Sequence, residues 1–151
     1  MCFKACAFFG HRDCSFDVYE NICQIIEELI INNSVKMFYV GYNDNYDLMV
    51  SSALKEIYDK FKEIQFYYVL SGLNYAKKFI DNENTILPNG IELVPKRFAI
   101  SWRNKWMVNN SDYVVCYITR NFGGAEQFVR YAKYKNKNVI NIAEKLPEPK
   151  R

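Results

Sequence analysis

A chain of 151 residues, half of them hydrophobic and 17% aromatic, is long enough for one domain with a sizeable core and too short for two ordinary ones. That composition excludes a disordered chain. A formal charge of +3 allows an anionic small ligand but lacks the concentrated basic face that nucleic acid calls for, and no apolar run approaches the ~20 residues of a membrane span.

The opening run "MCFKACAFFG" meets the charged "HRD" at once and carries no small-residue cleavage site, so it reads as a strand over 4–9 that stops at Gly10, not as a signal peptide. Residues 17–32 place Val18, Ile22, Ile25, Ile26, Leu29 and Ile30 at helical spacing until Asn32-Asn33 ends the pattern. A second strand, "VKMFYVG" (35–41), again closes on glycine, and "YDLMVSSALKEIYDKF" (46–61) is amphipathic at helical period. "IQFYYVLSG" (64–72) is a third strand. Residues 73–97, with "LPNG" and a second proline, read mostly as loop, and 99–110 as a short helix. "DYVVCYI" (112–118), "GGAEQFVRYAKYK" (123–135) and "KNVINI" (137–142) then read as strand, glycine-opened helix and strand, and 143–151 as a polar, frayed tail.

Strands that are apolar without alternation, separated by helices, predict a parallel sheet covered on both faces. The expected fold is α/β: a single domain over 1–151, a Rossmann-like three-layer sandwich with a central parallel sheet of five or more strands. In such sheets ligands bind beyond the carboxyl ends of the strands, near the switch in strand order. Gly10, Gly41, Gly72 and the loop before Gly123 all fall on that edge, which directs His11 and Arg12 into the expected crevice.

The five cysteines (Cys2, Cys6, Cys14, Cys23, Cys116) are odd in number and form no CxxC, which predicts a reduced, cytoplasmic protein. The spacing of Cys2, Cys6, His11 and Cys14 fits no common zinc finger, so no metal is expected. The glycine pair in "RNFGGAEQF" follows a strand and opens a helix, where free N–H groups and the helix dipole suit an anion; a tight turn without function has the same appearance. Neither GxGxxG nor GxxxxGK[ST] occurs, so the usual dinucleotide and P-loop readings do not apply and no cofactor is expected.

"FAISWRNKWMVNNSDYVVCYI" adds Arg103, Asn104, Met107, Ser111 and Asp112 ahead of the fourth strand. Together, "FFGHR", "RNxxMVxxSDxVVCYI" and "GGAxQxxxYAxxxxKxVINI" resemble the SLOG superfamily, and within it the small YpsA-like proteins, over nearly the whole chain. That superfamily includes LOG-type phosphoribohydrolases, the DNA-processing protein DprA and sensor domains of antiviral signalling systems. The resemblance implies a Rossmann-like domain that binds nucleotides or nucleotide-derived signals, often as a homodimer. In the hydrolases an arginine stands four residues before a methionine, and a glutamate after the glycine pair works with it at the ribosyl bond. Arg103 and Met107 match. The first glutamate position falls on Gln127, which cannot ionise, and Glu126 is shifted by one residue, about 100° around a helix.

Other polar residues carry competing readings. His11 suits a hydrogen bond more than acid–base work, and Arg12 suits a phosphate anchor. Asp112 reads as a cap or turn residue before the fourth strand, and Asn45 or Asp44 as a helix cap. Asn43 or Asp47 is placed to meet a ribose hydroxyl or base. Tyr42, Tyr46, Trp102 and Trp106 offer rings for stacking on a base, against a simpler role in the core. The expected ligand contacts are Gly10, His11, Arg12, Gly41, Asn43, Asp47, Arg103, Asn104, Gly123, Gly124 and Glu126. The expected function is binding of a nucleotide or ADP-ribose-derived molecule in a sensing or sequestering role. The alternative is a nucleoside 5′-monophosphate N-glycosidase using Arg103 and Glu126. Single-stranded DNA binding is disfavoured by the mild charge.

Overall fold

The computed structural model describes residues 3–42, 44–72 and 84–145. Strand β1 (Lys4–Gly10) is buried from Ala5 onward with no alternation, as expected of a central strand covered on both faces. It pairs in parallel with β2 (Val35–Val40) on one side and β5 (Tyr113–Tyr117) on the other. Strands β3 (Gln65–Val69) and β4 (Thr85–Ile86) extend the β2 side and β6 (Asn138–Asn141) the β5 side. The result is a six-stranded, wholly parallel sheet of order β4-β3-β2-β1-β5-β6.

The period of two along β1 divides the core. Cys6 and Phe8 pack with α1 (Tyr19–Asn33) and α2 (Asn45–Tyr58) through Ile22, Ile26 and Leu54, beside Phe38 of β2. Ala7 and Phe9 face the other side, against α3 (Ala99–Asn109) and α4 (Gly124–Tyr134), through Met107, Phe128 and Val129. Two helical layers therefore enclose the sheet, which is the expected three-layer sandwich. Among the described residues no helix is long and apolar enough to cross a membrane.

Local chemistry explains the boundaries. Helix α1 ends at Asn33, and Ser34 takes a left-handed conformation (φ 58) while its N–H donates to the Leu29 carbonyl. Of the two cap candidates for α2, Asp44 is the one used: its carboxylate accepts from the Asp47 N–H at 2.9 Å. Asp112 accepts from the Ala5 N–H at 3.0 Å, so the residue read as a turn former ties the start of β1 to the start of β5.

Two expectations need correction. The stretch read as loop holds β4 and two short 3-10 turns at Ile91–Leu93 and Lys96–Phe98. Two residues are too few for a periodic signal, and β4 exists because Tyr68 and Leu70 donate to the carbonyls of Asn84 and Ile86. The tail begins as a short helix, α5 (Ile142–Lys145), because Ile142 is fully buried against the first core; residues 146–151 lie outside the described residues.

Candidate functional site

The chain leaves β1 toward β2 on one side and reaches β5 on the other, so strand order switches between β1 and β5. At their carboxyl ends lies a crevice of about 340 Å³. Phe8 to Arg12 form its floor, Gly41, Asp44 and Asp47 one wall, Ile100, Arg103, Asn104 and Met107 a second, and Arg120, Gly123, Gly124, Ala125 and Phe128 a third. Ligand sites of open parallel sheets sit at this position.

Two of the glycines there serve packing. A Cβ at Gly10 would overlap the Tyr46 ring, and a Cβ at Gly41 would come within 2.6 Å of the Asp47 carboxylate. Tyr46 is fully buried and its hydroxyl donates to the Val115 carbonyl at 2.9 Å. The side chain missing from Gly10 is thus the space through which α2 reaches over β1 to β5. Tyr46 is unavailable for stacking on a base, and Trp106 packs edge-on against Tyr39 at 5.2 Å. Tyr42 spans the ends of β2 and β3: its hydroxyl lies 2.9 Å from Ser71 Oγ and accepts from the Ser71 N–H. Asn43 lies outside the described residues.

The other glycine pair opens toward the crevice. Gly123 has φ +105, a conformation side chains disfavour, while a Cβ at either Gly123 or Gly124 would meet nothing within 4 Å. Helix α4 has Gly123 as its N-cap, a residue with no side chain to cap it. Its first-turn N–H groups have no acceptor within the helix, and the helix dipole places partial positive charge at this end. Arg12 and Arg120 line the same crevice, Arg120 also pairing with Asp13 at 3.3 Å. An anion in the crevice meets donors and cations, and Asp44 and Asp47, at the start of α2 where Arg12 also lies, add carboxylates to the same lining. Burial pushes the Asp44 carboxyl up, against the hydrogen bond from Asp47 and the charges of Arg12 and Arg103.

His11 is 4% exposed, and its Nε2 accepts from the Thr119 N–H at 2.9 Å. Burial and the Arg120 charge lower its pKa, with Asp13 opposing. The ring is therefore held neutral, against acid–base use of a cationic imidazole.

Arg103 is more tightly held than its sequence position indicates. It is 3% exposed, donates to Asn104 Oδ1 from Nε (3.1 Å) and Nη2 (2.9 Å), and donates to the Val69 carbonyl from Nη1 (3.3 Å). Its guanidinium lies 5.4 Å from the Tyr42 ring centroid. Burial lowers its pKa while Asp47, Tyr42 and Asp44 favour the charge. It lines the crevice as a cation fixed by protein acceptors.

Glu126 is not brought to Arg103. It pairs with Arg130 at 2.8 Å and lines a separate hollow of about 260 Å³ with Asn141 and Lys133. The reason is helical geometry: Gly124, Ala125 and Phe128 turn to the crevice, which leaves position 126 facing the β6 side. Gln127 is exposed and lines neither space. Of the expected contacts, Gly10, His11, Arg12, Gly41, Asp47, Arg103, Asn104, Gly123 and Gly124 meet in one crevice. Sequence reasoning missed Arg120 and Asp44 as site residues. An arginine three positions before a glycine pair was the available signal for Arg120, whereas Asp44 was legible only as a cap.

No protein-family profile and no curated protein sequence matches the chain. Among solved structures, the X-ray structure of DNA processing protein A (DprA) from Streptococcus pneumoniae is similar with a TM-score of 0.66 at 17% identity, over 91% of this chain and 49% of that one. The chain has a DprA-like Rossmann fold. It spans about half the length of that DprA chain.

Proposed function

We propose that this is a YpsA-like member of the SLOG superfamily that binds a nucleotide or an ADP-ribose-derived small molecule in the crevice between β1 and β5, as a sensor or sequestering protein. The observation that carries the reading is the glycine-opened end of α4, which lines one crevice with Arg12 and Arg120, together with the Asp44 and Asp47 carboxylates at the start of α2. A phosphate suits the first group and sugar hydroxyls suit the second. Binding without turnover is favoured over ribosyl cleavage because Glu126 pairs with Arg130 in a different hollow.

Calorimetric titration with adenosine 5′-monophosphate, and chromatography of the mixture for free adenine, test this reading. Wild-type protein should bind the nucleotide and release no base above background. Gly124→Val should fold, since a Cβ at this position meets nothing within 4 Å, and should lose at least about tenfold in affinity, or ~1.4 kcal/mol. Equal binding by the folded variant would remove the phosphate from α4, and adenine release would establish the hydrolase alternative.

A further inference from the structure

The imidazole of His11 has two nitrogens, and the fold commits only one of them. Nε2 lies 2.9 Å from the Thr119 backbone nitrogen. A backbone N–H can only donate, so Nε2 is the lone-pair nitrogen and the proton of the neutral ring is on Nδ1. The ring is nearly buried, yet among the described residues the one buried side-chain N or O atom lacking a hydrogen-bond partner is Glu126 Oε2. Among the described residues Nδ1 makes no hydrogen bond, so it keeps solvent access, and His11 lines the crevice.

We propose that His11 is a fixed-tautomer donor to an oxyanion of the ligand and the relay by which an occupied crevice orders the segment from Thr119 to Gly123. The inference rests on the nucleotide-binding reading and adds to it the ligand atom and its consequence. Among the groups that line the crevice, His11 Nδ1–H, Arg12, Arg120 and the first amides of α4 are donors, and three of these four are charged or carry partial positive charge beyond the ring, so an acceptor-rich anion such as a phosphate fits them better than an uncharged hydroxymethyl group, whose oxygen accepts but carries no charge. An oxyanion on Nδ1–H raises the electron density at Nε2 and strengthens the bond from Thr119. Thr119 opens the segment that carries Arg120 and Gly123, so ligand binding tightens the elements that hold it.

Two substitutions separate the roles. Glutamine places its terminal amide near the position of Nε2, where its oxygen can accept from Thr119, but offers nothing at Nδ1. Asparagine places an N–H₂ near Nδ1 and leaves Thr119 without its acceptor. Binding of adenosine 5′-monophosphate and of inorganic phosphate is followed by calorimetry, and exchange of the Thr119 amide by NMR, in wild type, His11→Gln and His11→Asn. Wild type should bind, with slower Thr119 exchange when occupied. His11→Gln should keep slow exchange when empty but lose at least about tenfold in affinity, as expected for a hydrogen bond to a charged group. His11→Asn should retain affinity within about threefold yet show fast Thr119 exchange with or without ligand. Wild-type affinity in a folded His11→Gln overturns the inference while the nucleotide reading stands. Imidazole ¹⁵N shifts showing the Nε2–H tautomer also overturn it. Wild type that binds neither probe overturns both.

Discussion

Gly10 and Gly124 look alike in the sequence, each a glycine beside the crevice, and physical chemistry separates them. The space beside Gly10 is taken by the Tyr46 ring, whereas the space beside Gly124 is open. Gly10→Ala must displace a ring that is fully buried and bonded to Val115, so overpacking should cost about 1–3 kcal/mol in denaturant unfolding. Gly124→Ala should leave the unfolding midpoint no lower, since the Cβ is unopposed and alanine restricts the unfolded chain. Equal midpoints for wild type and Gly10→Ala would show that Tyr46 does not occupy that space in solution. Arg103 illustrates the same separation among charged residues. Its three hydrogen bonds to Asn104 and Val69 fix it through protein acceptors alone.

At the scale of elements, the segment between β5 and α4 is held to the residues that follow β1 by two contacts. The Thr119 N–H meets His11 Nε2, and Arg120 meets Asp13 at 3.3 Å. Protonating His11 puts a second proton on Nε2, facing a backbone donor, and breaks the first contact. Because burial and Arg120 lower the folded pKa below the ordinary 6.5, with Asp13 opposing, the neutral ring contributes stability that is complete above 6.5. That contribution is lost as the pH falls below 6.5 and through the folded value. Urea unfolding between about pH 7.5 and about pH 5 should show wild type losing stability that His11→Gln, which has no titrating ring, does not lose. Parallel pH profiles for the two proteins would exclude the mechanism.

At the scale of the molecule, several large apolar side chains remain outside the core on the α3 and α4 side. Phe98 and Ile100 flank the start of α3, Phe122 precedes α4, and all three are exposed. Apolar area of this kind is uncommon on a monomer beyond a few hundred Å². We expect a homodimer, the closed assembly that most soluble homo-oligomers adopt. Light scattering at micromolar concentration should give twice the 17.9 kDa mass of the chain. A mass of one chain across that range would reject the dimer.

What the sequence determined by itself is what depends on near neighbours. Apolar runs without alternation specified buried parallel strands, helical spacing specified α1 and α2, and glycines at strand ends marked the edge on which ligands bind. His11 and Arg12 were placed at the crevice because they follow a strand directly. Only the tertiary structure decided how each side chain is spent. In the resemblance an arginine and a glutamate from separate motifs work at one bond, yet here Arg103 and Glu126 line different hollows, because a shift of one residue turns a side chain through about 100° around α4. Likewise β4 forms because β3 presents free backbone groups to it, and Gly10 is glycine because Tyr46, 36 positions later in the chain, needs its place. Those are long-range contacts, and local periodicity carries no record of them.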